Sequence, residues 1–262
     1  MTQKAPSRFK SALFLLILLL IPTYILFQTQ IGAHYYVKAN CHQQCKTEWD
    51  SFGAYIPTGY TVYGIDISHH SCQIDWDEVR KMQVNGVGIQ FAYMRSTKGY
   101  DADYLFGQNW KDAKSSGMIR GAYHYYKPLL DPEKQADKFL KTFKLLPGDL
   151  PPVLDIEEGN GIKDEFVIKG MTSWLEIVEY ETGVRPMIYT NLYYYKKYIA
   201  NRFPHYPIWI AGYGISRINL PDARPWRFWQ FSETGRANGI CEKIDLNAFI
   251  GTYQQLLSLC AK

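Results

Sequence analysis

Residues 151–158 read Pro-Pro-Val-Leu-Asp-Ile-Glu-Glu. Two prolines lead into a short apolar run, Val153-Leu154, and the run ends in Asp155 and Glu157, one residue apart. In a β-strand, residues i and i+2 share a face and stand about 6–7 Å apart. As a strand end, this stretch sends both acids into one space. Two carboxylates on one face repel, so one keeps its proton to higher pH than the other. An acid and a base are then available at the same pH. The competing reading is a strand that runs into a polar loop with two solvated acids. The rest of the chain has to decide between them.

Working outward, short β-rich runs alternate with stretches of helical spacing. Thr61–Ile67 reads as a first strand ending in Asp66, followed by Ser68-His69-His70. Trp76–Asn85 has helical spacing, with Asp75 placed to cap it. Gly86–Met94 is a buried strand, Asp103–Ser116 a helix closed by Gly117, and Ile119–Tyr126 a third strand. Pro132–Phe143 is a helix with Asp131 as N-cap and a proline in its first turn. After the acid-pair strand come a long helix, Asp164–Glu181, stopped by Gly183, and a strand, Pro186–Thr190. Strand–helix repeats with short connections argue for a parallel sheet with helices outside it.

The last third changes character. Pro207–Ala211 and Arg227–Phe231 read as strands with little room for a helix between them. Ile244–Ile250 follows after a Gly/Asn-containing loop, 232–239, with hairpin character, so the last strand is expected to run antiparallel. An open sheet would call for a Gly-rich phosphate loop after the first strand, and none is present. The expected fold is therefore α/β: an irregular TIM-like β/α barrel of about eight strands, fewer than eight helices and an antiparallel last strand. Active sites of such barrels lie at the C-terminal ends of the parallel strands. Asp66, Arg95, Tyr125, Asp155, Glu157 and Tyr189 fall at or near those ends. Asp245 opens the antiparallel strand and so belongs to the same mouth. Four carboxylates at one mouth are hard to explain as solvated edges.

The net charge of +4 carries little meaning for function. Lys4, Arg8, Lys10, Lys38 and Lys46 oppose only Glu48 and Asp50 in the first 60 residues, which leaves +1 for the remainder. No basic field is left for nucleic acid. From Ser11 to Val37 there is no Asp, Glu, Lys or Arg, and Ala12–Phe27 is nearly all apolar. Roughly 20 such residues span a bilayer. The three leading cations hold the N-terminus in the cytoplasm. The expected organisation is a basic tail (1–10), a transmembrane anchor (11–31), a juxtamembrane linker (32–59) and an extracytoplasmic barrel domain (60–262). The alternative for the apolar run is a cleaved signal peptide, but it is long for one and no small-x-small site directly follows it. Cys41 and Cys45 flank His42 without a second ligand pair, so no metal or cofactor is expected.

Seven motifs in order make the chain recognisable: YGIDIS at 63–68, GAYHYY at 121–126, LPPVLDIE at 150–157, YTN at 189–191, WIAGY at 209–213, WQFS at 229–232 and IDLNAF at 244–249. Over about residues 61–254 this resembles the family-25 glycoside hydrolases, lysozymes with a modified barrel. The resemblance implies cleavage of the β-1,4 bond between N-acetylmuramic acid and N-acetylglucosamine in peptidoglycan. Glu157 matches the general acid, Asp155 its partner carboxylate, and Asp66 and Asp245 the other two acids. Tyr189, Trp209 and Trp229 match aromatic positions near the sugar, with Tyr125 and Arg95 beside them. Asp155 could orient the substrate's acetamido group for a substrate-assisted, retaining route; a direct nucleophile or an inverting water stays open. The family's Lys-Ala-Thr-Glu-Gly pattern is here Arg95-Ser96-Thr97-Lys98-Gly99, which reverses the charge at position 98. Two other readings stand beside the muramidase: a non-catalytic glycan-binding barrel, and a hydrolase of another acetamido-sugar polymer such as chitin. Finally, first and last strands are neighbours in a closed barrel, so a Cys72–Cys241 disulfide across the rim is expected.

Overall fold

The computed structural model describes residues 48–262. The expected basic tail, transmembrane anchor and most of the linker lie outside the described residues. Among the described residues, no helix is long and apolar enough to cross a membrane.

Eight strands form the barrel: β1 (Val62–Ile67), β2 (Val87–Lys98), β3 (Ile119–Tyr125), β4 (Val153–Asp155), β5 (Met187–Asn191), β6 (Ile208–Ala211), β7 (Phe228–Gly235) and β8 (Ile244–Phe249). Neighbours pair in sequence order from β2 to β8, β8 pairs β1, and β1 pairs β2 in parallel, which closes the ring. Strands β1 to β7 are parallel to their neighbours, and β8 is antiparallel to both β7 and β1. The connections carry α1 (Trp76–Lys81), α2 (Phe106–Ser115), α3 (Pro132–Leu140), α4 (Asp164–Thr182) and a short α5 (Leu192–Tyr194) that widens into a π-helical turn, Tyr195–Ile199. No helix separates β6 from β7 or β7 from β8. The irregular β/α barrel expected from the sequence is the fold observed.

Several boundaries differ for identifiable reasons. The first helix stops at Lys81 because Asn85-Gly86, both at positive φ, make a hairpin turn that pairs Gln83–Val84 with Val87–Gly88. Asp75 does cap it, accepting from the Glu78 N–H at 3.2 Å. Strand β2 runs on to Lys98, so Arg95 and Lys98 are strand residues. The second helix starts three residues late because Asp103 is engaged elsewhere, as described below. A C-terminal helix, α6 (Tyr253–Leu259), was not foreseen. It carries a capping box between Thr252 and Gln255.

Strand alternation separates two cores. Outward residues such as Ile65, Leu154, Ile188 and Ile210 pack with Trp174, Val167 and Phe139 of the helices. Inward residues Val62, Phe91, Val153, Met187, Phe228 and Phe249 fill the barrel's lower half, and Leu256 and Cys260 close its floor from α6. Interior space is short where Phe91 and Tyr93 cross: a Cβ on Gly64 would meet the Phe91 ring, and one on Gly121 the Tyr93 ring. The upper half of the same inward columns is polar.

The disulfide expectation is corrected. Cys72 is disulfide-bonded, and Cys241 is not its partner. Cys72 sits at positive φ at the end of a 3-10 turn, His69–Ser71, while Cys241 is exposed ahead of β8. Neighbouring strands do not bring together cysteines carried on separate rim loops.

Candidate active site

The polar half of the interior opens as a cavity of about 200 Å³ lined by Asp66, Arg95, Tyr123, Tyr125, Asp155, Glu157, Tyr189, Trp209, Gln230 and Asp245. All four sequence-selected carboxylates are brought together. Asp155 ends β4 in register with Tyr125 of β3 and Tyr189 of β5. Past the strand end, the Ile156 N–H still donates to the Tyr189 carbonyl at 3.0 Å, and Thr190 Oγ1 donates to the Ile156 carbonyl at 2.8 Å. These bonds hold the extended backbone for one more step and aim Glu157 inward above Asp155. Asp66 and Asp245 are register partners across β1 and β8.

The acids sit in unequal surroundings. Asp66 Oδ2 accepts from Gln230 Nε2 at 2.9 Å and Asn247 Nδ2 at 2.7 Å. Burial raises the Asp66 pKa, and these donors work against the rise. Asp245 is pushed up to about 9 by burial, the charge of Asp66 and a hydrogen bond to it. Like charges this close share one proton, and Asp245 holds it while Asp66 stays ionised. Burial, then the charges of Glu157 and Asp66, push Asp155 well above the usual carboxylate range. Asp155 is 4% exposed, and its Oδ1 has no hydrogen-bond partner. Burial raises Glu157 as well; a hydrogen bond from Tyr189 works against the rise, and the charges of Asp66 and Glu158 add to it.

A tyrosine and a glutamine connect Glu157 to Asp66. Tyr189 Oη lies 2.7 Å from Gln230 Oε1 and 3.3 Å from Glu157 Oε1. One hydroxyl proton is divided between the two acceptors, and the shorter contact takes the larger share. Tyr213 also donates to Gln230 Oε1, at 2.5 Å. The glutamine is oriented by Asp66, which can only accept from its amide nitrogen. Glu157 therefore receives only the longer, weaker share of the Tyr189 donor. That bond pulls the Glu157 pKa down, but burial outweighs it.

The aromatic residues lie deeper than a sugar-stacking rim. Tyr189 is buried, and Trp209 is the cavity floor, 1% exposed, with its indole N–H on Asn247 Oδ1 at 2.8 Å. Trp229 does not face the acids: alternation along β7 turns Phe228 and Gln230 inward and Trp229 outward, where its N–H donates to the Gly212 carbonyl at 2.8 Å. Tyr125 is half-buried and donates to Glu158 at 2.9 Å. Arg95 is tied back by Asp103, at 3.2 Å, and by His69 Nδ1 at 2.7 Å. Gln230, Asn247, Tyr213, His69 and Asp103 were not selected from sequence. Gln230 and Asn247 had a signal: each is a lone amide at an inward position of an apolar strand.

Acids held apart in protonation around a small cavity are what glycosidic cleavage requires. Residues 65–240 match Glycosyl hydrolases family 25. The chain belongs to that family. It is similar to the uncharacterized protein YegX of Escherichia coli (strain K12), with 40% identity over 207 residues, 79% of this chain and 76% of that protein. It is 32% identical to Lysozyme M1 of Streptomyces globisporus over 213 residues, 76% of this chain and 71% of that protein. Among solved structures, a family 25 glycosyl hydrolase from Bacillus anthracis superposes with a TM-score of 0.71 at 27% identity, covering 82% of this chain and all of that one. This family 25 chain is thus a glycosidase. The cluster at the mouth is where its fold directs the search for the chemistry.

Proposed function

We propose that this family 25 glycosidase is a muramidase that cleaves the β-1,4 bond between N-acetylmuramic acid and N-acetylglucosamine in peptidoglycan. Glu157 gives its proton to the leaving oxygen. Asp155 holds the 2-acetamido group of the sugar on the other side of that bond, and the acetamido oxygen attacks the anomeric carbon. Water then opens the resulting oxazolinium ion, with net retention. Asp66 and Asp245, sharing one proton, supply a single fixed negative charge near the oxocarbenium-like transition state.

The observation that carries this reading is the orphaned Oδ1 of Asp155, a buried acceptor with no protein donor on a residue that lines the cavity. An acetamido N–H supplies the missing donor. In the free protein, burial raises the pKa of both Asp155 and Glu157, and the charge of Glu157 adds to the rise at Asp155. A donor bound at Oδ1 favours the ionised form of Asp155. Substrate binding therefore releases Asp155 to hold the amide and leaves the acid's proton on Glu157. The apolar run 11–31 tethers the domain to a membrane, on the side where the wall lies.

The test is product analysis on purified peptidoglycan. Wild-type enzyme should release reducing N-acetylmuramic acid ends with the β-anomer formed first, and Glu157→Gln should lose at least about a thousand-fold in rate. Asp155→Asn should lower kcat with substrate binding retained. Turnover by Glu157→Gln near the wild-type rate, or faster cleavage of chitin oligomers than of peptidoglycan, would refute the assignment. Membrane fractionation of the chain with and without residues 1–31 tests the tether.

A further inference from the structure

Beside the acid cavity lies a second cleft, about 540 Å³, whose walls include Lys127, Leu129, Leu130, Glu158, Asn160 and Ile162. It joins the active site through Tyr125 and Glu158. Tyr125 lines the acid cavity, and its hydroxyl donates to Glu158 Oε1. Glu158 directly follows the proposed acid in sequence. Two lysines flank the Tyr125 ring: Lys98 Nζ is 4.6 Å from its centroid and Lys127 Nζ 5.3 Å. Their circumstances differ. Lys127 is ion-paired to Glu158 at 2.5 Å. Lys98 is exposed, and among the described residues it makes no ion pair.

Lys98 is held by the fold. It ends β2 in register with Tyr125. The turn that follows is packed tightly, since a Cβ on Gly99 would lie 2.8 Å from Leu130 and 3.2 Å from Lys127. This chain thus keeps a cation at fixed height on the rim, between the acids and an open cleft with an aliphatic wall. It is also the position where the family pattern's negative charge is reversed. The acids themselves gain little from it, because burial still raises Asp155 and Glu157 despite its charge. Its Nζ stands over the Tyr125 ring at the cavity's edge, and the turn after it packs on Leu130 and Lys127 of the cleft wall.

We infer that Lys98 is a substrate-specificity residue that binds a carboxylate on the muramyl substituent of the glycan, while the adjoining cleft takes up the rest of that substituent. This rests on the muramidase reading. Two carboxylates have the right chemistry: the bare lactyl group of a muramic acid without peptide, and the free acids of an attached peptide.

Steady-state kinetics on four soluble glycan strands tests this with the full-length protein. The strands carry peptides or have lost them to an amidase, and each is used as the free acid or after carbodiimide amidation. Lys98→Met should raise KM on a free-acid strand by up to about five-fold, the size of one exposed ion pair, and leave kcat and the amidated strands unchanged. Lys98→Arg should restore the wild-type KM. An effect on peptide-bearing strands alone assigns the peptide acids; an effect on stripped strands alone assigns the lactyl carboxylate, and an effect on both kinds assigns Lys98 to both carboxylates. Equal changes on free-acid and amidated strands, or none, would overturn the inference. Absence of turnover by wild type on every strand would instead overturn the muramidase reading, and this inference with it.

Discussion

Replacing Gln230 by methionine should move the pH at which the enzyme loses activity. Gln230 Oε1 is the nearer acceptor of the Tyr189 hydroxyl, at 2.7 Å, so Glu157 at 3.3 Å receives only the weaker share of that donor. Methionine keeps the length of the side chain and removes the acceptor. The Tyr189 proton then turns to the acceptors left within reach, Glu157 Oε1 and the Tyr213 hydroxyl. A hydrogen bond to a charged group contributes about 1.5–3 kcal/mol, and it acts on the ionised form of Glu157. At 1.36 kcal/mol per pKa unit, the Glu157 pKa falls by about one to two units. Loss of the Gln230 amide donor also raises the Asp66 pKa, and a less charged Asp66 repels Glu157 less. Both effects have the same sign.

In the proposed mechanism Glu157 works in its protonated form, so activity is expected to disappear as pH rises through its pKa. The basic limb of kcat/KM against pH should shift downward by about one to two pH units in Gln230→Met. Adding Tyr189→Phe removes the redirected proton and should return most of the shift. Other groups facing Glu157 are Asp155, Asp66, Asp245, Glu158, Tyr125 and Lys98, and the double variant leaves all of them in place. Matching thermal melts for the single and double variants separate this effect from loss of fold. A basic limb that stays put, or an equal shift in both variants, would refute the preference of the hydroxyl for Gln230.

Asp245→Asn should stabilise the protein at neutral pH. A carboxylate raised from 3.8 to about 9 gives its full stability below the lower value and loses it as pH rises toward the upper. At pH 7 this amounts to at most about 4 kcal/mol. Urea titrations should show the Asn advantage at pH 7 shrinking to nothing near pH 3.5. His124 has the opposite sign. It is buried against Trp174 with its pKa lowered to about 3, so its contribution is complete above 6.5 and drains away as pH falls toward 3. Between pH 6.5 and 4 about 3 kcal/mol should be lost in wild type, and His124→Gln should flatten that slope. Arg120→Met should cost about 3–5 kcal/mol, because it leaves Asp149 buried without the guanidinium that now bonds it at 2.8 and 3.1 Å; a loss under 1 kcal/mol in chemical denaturation would contradict this.

How much of this could be read in the sequence followed the period of the side chains. Asp66, Asp155, Glu157 and Asp245 could be placed together because strand ends and alternation need only a count along the chain. The same count, applied to β7, turns Trp229 away from the cavity and Gln230 into it. Reading Arg227–Phe231 only as a strand, without following which of its side chains face inward, hid that. Asn247 was hidden in the same way, two residues from Asp245 and on the same face. Asp103 reads locally as the first residue of a helix; in three dimensions it binds Arg95 and His69 from another loop, and nothing nearby in sequence announces such a contact. The C-terminal helix closes the barrel floor with Leu256 and Cys260, a role visible only once the barrel exists.

Proton count explains why the mouth can hold so many acids. Asp66, Asp155, Glu157 and Asp245 could not all be ionised around a cavity of about 200 Å³. The nearest internal cation, Arg95, is already matched by Asp103. Neutrality has to come from protons, and the hydrogen bonds decide where they sit. Asp66 receives two amide donors and stays charged; Asp245 then carries the proton of that pair. Tyr189 donates chiefly to Gln230 and only over a longer distance to Glu157, so burial still raises the Glu157 pKa. Asp155 has no protein hydrogen-bond partner at Oδ1. In the proposed mechanism the missing donor is the substrate's acetamido N–H, so arrival of the sugar is coupled to ionisation of the residue proposed to hold it.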